Sequence, residues 1–80
     1  MSILAVEVEA TAVDLTCKSD SITVFLADGR EITVPLEWFP RLQSATAAER
    51  QNWRMIGNGY GIHWEDVDED ISVESLLRFR

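Results

Sequence analysis

A run of carboxylates near the C-terminal end holds the residues best suited to chemistry. Six acids fall within residues 65–74: Glu65, Asp66, Asp68, Glu69, Asp70 and Glu74. Asp66, Asp68 and Asp70 repeat the spacing of the first three ligands of an EF-hand calcium loop. The rest of the loop does not fit, because Ile71 stands where the turn needs glycine and Leu77 where the metal needs a bidentate glutamate. We therefore expect no metal site in this run.

General acid–base catalysis is the other chemistry that paired carboxylates perform. It requires two carboxyl groups in one pocket, where burial gives them different pKa values. In the sequence, neither a nucleophile nor an apolar cleft accompanies these acids. His63 is the only histidine, and the sequence has no Gly-x-Ser-x-Gly or Cys-His grouping for it to activate. We interpret His63 as a strand residue hydrogen-bonded to a carboxylate. We predict a protein that is not an enzyme and uses no cofactor.

The overall charge indicates which partners suit the chain. Fourteen acidic residues against seven Lys and Arg give a formal net charge of −7. The basic residues are scattered singly, at Lys18, Arg30, Arg41, Arg50, Arg54, Arg78 and Arg80. Neutralising phosphates requires clustered cations, so we expect no direct nucleic-acid binding. A small basic protein is the better partner for such a surface.

Cysteine usage and the N-terminal residues indicate the compartment. Cys17 is the only cysteine, so it cannot form an internal disulfide, and we expect it to be a small strand residue facing the core. The N-terminal apolar run is short, is interrupted by Glu7 and Glu9, and has no basic residues before it. It fits neither a signal peptide nor a membrane span. We expect a cytoplasmic protein that does not enter membranes.

The first half of the chain is predicted to form a three-stranded antiparallel meander. Residues 12–17 and 21–27 are rich in Val, Thr, Ile and Phe, and a polar Lys18-Ser19-Asp20 turn separates them. Asp28-Gly29 is a strong hairpin signal, because both residues tolerate the positive φ angles of tight turns. The alternating segment 31–35 then supplies a third strand.

The second half is predicted to mix short helices with one hairpin. Residues 36–42 indicate a short helix or turn, and Thr46 with Glu49 has the capping-box spacing of a helix that runs to about Trp53. Residues 53–56 and 60–65 form a hairpin across Gly57-Asn58-Gly59, and the acidic run is a solvated connection to a last helix capped by Ser72. Eighty residues allow one domain, 1–80. The fold class is α+β: a small antiparallel sheet, built from the meander and the later hairpin, with two or three short helices.

Trp38 has two interpretations. It is adjacent to Phe39 on a short amphipathic turn, and two neighbouring residues of a helical turn cannot both point inward. Trp38 therefore either covers the core or forms part of an interface, since tryptophan is common in both settings.

Three segments together resemble a known family. They are ADGREITVPLEWFPRL (27–42), AAERQNWRMIGNGYGIHW (47–64) and DVDEDISVESLL (66–77). In order and content they look like the domain-of-unknown-function family 2442 (DUF2442), over about residues 12–78. The resemblance implies a small bacterial α+β protein, sometimes encoded beside a second small protein in toxin–antitoxin-like pairs. Some members continue into a helix-turn-helix, which we do not expect here because the chain ends at Arg80.

These observations favour a small non-enzymatic binding or regulatory module, antitoxin-like, that presents an acidic face to a basic protein. The predicted contact residues are Trp38, Glu65, Asp66, Asp68, Glu69, Asp70 and Glu74. Electrostatic complementarity would speed association, while the aromatic residue would contribute buried area. The alternative is a structural or regulatory homodimer that binds a small ligand between its subunits, because an exposed strand edge and a small core both favour self-association.

Overall fold

The computed structural model describes residues 10–78, so the apolar N-terminal run 1–9 lies outside the described residues. The strands are β1 (Ala12–Cys17), β2 (Ser21–Leu26), β3 (Glu31–Pro35), β4 (Trp53–Ile56), β5 (Gly61–Trp64) and β6 (Glu69–Ser72). The helices are α1 (Pro40–Gln43), α2 (Ala47–Gln51) and α3 (Val73–Leu77), preceded by a 3-10 turn at Leu36–Trp38. The predicted α+β class is confirmed. No helix in residues 10–78 is both long and apolar enough to span a bilayer.

The N-terminal sheet is the predicted meander, with strand order β1-β2-β3 and antiparallel pairing throughout. The first turn closes through a hydrogen bond from the Lys18 amide to the Ser21 carbonyl, 2.8 Å long. In the second turn Gly29 adopts a φ of 96°, a conformation that glycine reaches without steric cost. Asp28 Oδ1 accepts the Arg30 amide there, and this bond lowers the pKa of the Asp28 carboxyl.

The C-terminal sheet has the order β4-β5-β6, and its third strand was not predicted. The β4–β5 hairpin turns over Gly57, Asn58 and Gly59 as expected, with φ angles of 60°, 58° and 92°. The acidic run was interpreted as a solvated connection, whereas its second half, Glu69–Ser72, pairs antiparallel with β5. The strand was not predicted because only one residue of β6, Ile71, is buried. A single apolar position gives no alternating pattern for sequence reasoning to detect.

One hydrophobic core lies between the two sheets and beneath the helices. Its largest fully buried side chains are Ile22, Val24, Leu36, Leu42, Ile62, Trp64 and Val73. Side chains alternate along β5, so Ile62 and Trp64 face this core while His63 faces the opposite side, as predicted. Cys17 packs partly buried against the same cluster, which confirms its expected strand role.

The two sheets form no common ladder within residues 10–78, but two contacts link them near the ends of β1. At one end, Gln51 Nε2 at the C-terminus of α2 donates to the Cys17 carbonyl at 3.3 Å. At the other end, the Gly59 backbone approaches Ala12 so closely that a Cβ on Gly59 would lie 2.7 Å from the Ala12 oxygen. These two contacts join the segments on either side of β4 to the two ends of β1.

Side-chain caps mark the start of the two longer helices, α2 and α3. The capping box of α2 is confirmed, with Thr46 accepting the Glu49 amide and Glu49 accepting the Thr46 amide. That helix ends at Gln51 rather than at about Trp53, because Trp53 begins β4 and pairs with Trp64. Ser72 caps α3 as predicted, by accepting the Ser75 amide at 3.1 Å. Both caps satisfy amides that the first helical turn leaves without partners.

Candidate functional site

The acidic segment, residues 65–74, is divided by the fold into three parts. Residues 65–68 form the turn between β5 and β6, where Asp68 has a φ of 52°. Glu69 and Asp70 begin β6, and Glu74 lies in the first turn of α3. Asp68 tolerates the left-handed conformation because a short polar side chain can compensate locally for the strain. The six carboxylates thus do not converge on one point.

A four-residue ionic network crosses the solvent-facing side of the C-terminal sheet. His63 on β5 is opposite Arg54 on β4 and Asp70 on β6. Its Nδ1 lies 2.5 Å from Asp70 Oδ1, and its Nε2 lies 3.2 Å from Glu65 Oε1. Arg54 Nη2 approaches the same Glu65 oxygen at 3.6 Å. The predicted carboxylate partner of His63 is therefore confirmed, and both ring nitrogens are engaged.

The contacts of this network raise the pKa of His63. The hydrogen bond to Asp70 raises the pKa of the imidazole above its ordinary value of 6.5, and the Asp70 and Glu65 charges act in the same direction. Partial desolvation and Arg54 oppose them. The folded chain therefore holds this proton more tightly than the unfolded chain. The resulting stabilisation is complete below pH 6.5 and is lost as the pH rises through the folded pKa.

A second group of contacts fixes the turn before β6. Asn52 Nδ2 donates to Asp66 Oδ2 at 3.0 Å. Arg41 on α1 donates from Nη1 to the Asp68 carbonyl at 2.9 Å, and its Nε lies 3.1 Å from Glu69 Oε1. The Glu69 side chain is only 14% exposed, so Arg41 neutralises it where water is scarce. Glu69 is consequently less accessible to a partner than the sequence suggested.

The two remaining predicted contact residues lie apart from this turn. Glu74 forms an ion pair with Arg78 along α3, with 3.1 Å between Nη2 and Oε2, and its side chain is 76% exposed. Trp38 ends the 3-10 turn and packs, partly buried, against the core. The core-covering interpretation of Trp38 thus describes its position in the fold, and its role at an interface stays a prediction.

Metal coordination needs donor atoms that converge, and the fold does not supply them in the part of the chain it describes. No group of three or more His, Cys, Asp or Glu side chains within residues 10–78 could hold a metal ion. Asp66 and Asp68 lie on the turn, whereas Asp70 points to His63 across the strand pair. The EF-hand spacing in the sequence therefore does not become an EF-hand geometry.

An open groove beside the turn was missed by sequence reasoning. Its volume is about 480 Å³, and it is lined by Pro40, Arg41, Ser44, Ala45, Glu49 and Val67. Arg41 joins the groove to the start of β6 through its contacts with Asp68 and Glu69. The sequence carried no signal for this groove, because its residues come from α1, the α1–α2 connection, α2 and the β5–β6 turn, which become neighbours only on folding.

Comparisons with known proteins agree with this architecture. The profile of a family described as protein of unknown function (DUF2442) matches residues 12–80. The chain is also similar to a solved protein of unknown function from Rhodospirillum rubrum ATCC 11170. The two are 28% identical and superpose with a TM-score of 0.76, over 86% of each chain. Comparison with curated proteins finds no match.

Proposed function

Because the chain belongs to the DUF2442 family of proteins of unknown function, we propose a function from the chemistry of its own surface. The protein is a non-enzymatic binding module, antitoxin-like, whose acidic segment docks a small basic protein. The turn and β6 supply the contact surface. Trp38, on the 3-10 turn Leu36–Trp38, is a partly buried aromatic residue that a partner can cover further.

The distribution of ion pairs within the acidic segment carries this proposal. Three of its carboxylates already contact a guanidinium: Glu65 with Arg54, Glu69 with Arg41, and Glu74 with Arg78. The other three are Asp66, Asp68 and Asp70, and within residues 10–78 none of them contacts Arg or Lys. All three are exposed.

A basic partner gains most from these three aspartates. Their charges are close together in sequence, are held by a turn and a strand, and have no Arg or Lys beside them, although protonated His63 contacts Asp70. A fixed set of like charges raises the local potential and accelerates the encounter with an oppositely charged protein. These residues also have local structural roles, because Asp66 accepts from Asn52, Asp70 contacts His63 and Asp68 has a positive φ. Urea denaturation of the charge-reversed variant therefore accompanies every binding measurement, so that a loss of folding is told apart from a loss of binding.

The test is a tagged pull-down from the native host, with co-expression of the adjacent gene product, followed by mass spectrometry. We expect one small basic protein in stoichiometric amount. The variant Asp66→Lys, Asp68→Lys and Asp70→Lys should associate with it more slowly and with a weaker dependence on salt. Unchanged association kinetics in that variant would refute the proposal.

A matched control changes the same amount of charge elsewhere. Asp20, Glu31 and Glu37 are exposed acids of the N-terminal half, outside the acidic segment. Reversing these three to lysine alters the net charge equally, so any effect of net charge alone appears in both variants. We expect the control to retain most of the association rate. Equal losses in both variants would mean that total charge, rather than this surface, determines binding.

Self-association is the competing function, and the homodimer stays a prediction. Exposed apolar side chains at Val13, Tyr60 and Leu77 favour it, with 63%, 49% and 40% of their surface accessible. Sedimentation velocity over a wide concentration range decides between the two. A monomer throughout removes the dimer, whereas a dimer that excludes the basic protein removes the binding module.

A further inference from the structure

We propose that the proton on His63 controls how strongly the acidic segment binds its basic partner. While the imidazole is protonated it neutralises a carboxylate of that segment, and loss of the proton makes this carboxylate available to a cation of the partner. The inference rests on the proposed function, since it describes how binding at the same surface is regulated. Three observations support it: the position of the ring, its two hydrogen bonds, and the balance of charges around it.

His63 lies at the centre of the solvent-facing side of the C-terminal sheet. It is on the middle strand β5, between Arg54 on β4 and Asp70 on β6. Glu65, directly after the end of β5, contacts the same ring. In the part of the chain that the structure describes, these three side chains are the charged groups that act on His63. The next row across the sheet carries no charge and consists of Ile56, Gly61 and Ser72.

Both ring nitrogens of His63 face a carboxylate oxygen. Nδ1 lies 2.5 Å from Asp70 Oδ1, and Nε2 lies 3.2 Å from Glu65 Oε1. An ionised carboxylate only accepts hydrogen bonds, and a neutral imidazole has one N–H to donate. The protonated ring is therefore the form that can donate to both residues. In either tautomer of the neutral ring, one nitrogen lone pair faces a carboxylate, so one of the two hydrogen bonds is lost.

The loss of the proton changes the charge that Asp70 presents to solvent. With His63 protonated, the four side chains of the network carry two positive and two negative charges. Without the proton, Glu65 still has Arg54 Nη2 at 3.6 Å, whereas Asp70 has no Arg or Lys beside it. The Asp70 side chain is 67% exposed, so a cation of a partner can reach it. One negative charge therefore becomes available beside those of Asp66 and Asp68.

The proton of His63 and a cation of the partner thus compete for the same carboxylate. Two ligands that oppose each other do so reciprocally, so the proton weakens partner binding and the partner weakens proton binding by the same factor. The hydrogen bond to Asp70 raises the pKa of His63 above 6.5. The affinity for a basic partner should therefore rise as the pH rises through that value. Over the same range the stability of the fold should fall, so unfolding cannot imitate the effect.

The experiment measures binding of a hexalysine peptide, acetylated and amidated at its ends, to the full chain by calorimetry. Lysine ammonium groups titrate near pH 10.4, so the charge of the peptide is constant between about pH 5.5 and about pH 8.5. At low ionic strength we expect the affinity to rise about three- to tenfold across this range, as one charge close to the binding site is removed. An affinity that stays constant, or that falls with pH, would overturn the proposal.

His63→Gln isolates the contribution of the ring, because His63 is the only histidine and glutamine does not titrate. The variant should bind at every pH about as tightly as the parent binds at high pH, and any remaining pH dependence reports other groups. Urea denaturation at each pH shows that the variant is folded. If the folded variant keeps the full pH dependence of the parent, the proton that matters is not on His63.

The parent protein provides a second measurement that needs no substitution. NMR titration of the His63 ring, with and without saturating hexalysine, should show that the peptide lowers the pKa of His63. The decrease should equal the logarithm of the affinity ratio found by calorimetry, because the two effects are reciprocal. A pKa that the peptide leaves unchanged, or raises, would contradict competition for Asp70.

Failure of this inference can be distinguished from failure of the proposed function. If reversal of Asp66, Asp68 and Asp70 abolishes peptide binding but the parent binds equally at all pH values, only the control by His63 is wrong. If the reversed variant binds as well as the parent, or the parent does not bind the peptide at any pH, both fail. The control reversal of Asp20, Glu31 and Glu37 should keep the rise in affinity with pH.

Discussion

Replacing Arg50 by alanine should be among the most destabilising surface substitutions in this chain. Arg50 on α2 donates from Nε to the Leu42 carbonyl at 3.0 Å and from Nη2 to the Ala45 carbonyl at 2.8 Å. A third contact, from Nη2 to the Gln43 carbonyl, is longer at 3.4 Å. Leu42 and Gln43 end α1 and Ala45 lies in the connection to α2; the Leu42 carbonyl also accepts the Ala45 amide at 3.1 Å. One guanidinium therefore holds α1 and α2 together.

The expected loss of stability follows from the two short hydrogen bonds of Arg50, to the Leu42 and Ala45 carbonyls. Hydrogen bonds to a charged group are worth about 1.5–3 kcal/mol each. Leu42 and Ala45 are buried, but Arg50 is only partly so, and water can replace some of its donors in the variant. We therefore expect a total loss of about 2–3 kcal/mol, out of about 4–12 kcal/mol for a chain of this size. The melting temperature should fall by about 10–20 °C.

Urea denaturation followed by tryptophan fluorescence measures this loss. Arg54→Ala is the matched control, because it removes an equal charge from an exposed side chain with one long ion pair and should cost less than about 1 kcal/mol. Arg50→Lys should lose about 1–2 kcal/mol, since an ammonium cannot reproduce the planar fork. If Arg50→Ala costs no more than Arg54→Ala, the bonds to α1 do not stabilise the fold as argued.

Two further predictions concern the backbone and pH. Gly59→Ala should lower the free energy of unfolding by about 2–3 kcal/mol, and Gly29→Ala by about 1 kcal/mol, as measured by urea denaturation. Both glycines have a positive φ, but only at Gly59 would the added Cβ clash with the Ala12 oxygen. Equal losses of stability in the two variants would show that the strain of a positive φ, and not the clash with Ala12, determines the cost. NMR titration should place the pKa of His63 above 6.5, and Asp70→Asn should lower it. Stability should fall as the pH rises through that pKa, and a parent protein whose His63 titrates at or below 6.5 would refute the network.

The elements with strong local signals were predictable from sequence. The β1–β2–β3 meander was predicted because Lys18-Ser19-Asp20 and Asp28-Gly29 have the chemistry of tight turns. The caps at Thr46 and Ser72 followed from residue type and spacing alone. The alternation of Ile62, His63 and Trp64 also gave the correct faces of β5. In each case the interaction joins residues close together in the chain.

The candidate site was only partly predictable. Sequence identified the acidic segment and predicted a carboxylate partner for His63 without naming it, but it treated the six acids as one solvated face. The fold neutralises Glu69 with Arg41, which lies 28 positions earlier in the chain, and leaves the side-chain carboxylates of Asp66, Asp68 and Asp70 without a guanidinium. Which carboxylates keep their charge available depends on contacts between distant segments, and no local pattern encodes those contacts.

Sequence alone therefore determined the α+β class, the turns, the helix caps and the negative charge, because each depends on composition or on neighbours a few residues apart. Tertiary structure alone decided the β6 pairing, the groove, the role of Arg50 and the contacts of Gln51 and Gly59 with the ends of β1. Strand β6 buries a single residue, Ile71, so its own sequence carries little preference for a strand. It becomes one because pairing with β5 satisfies its backbone and seals the core around Ile62 and Trp64.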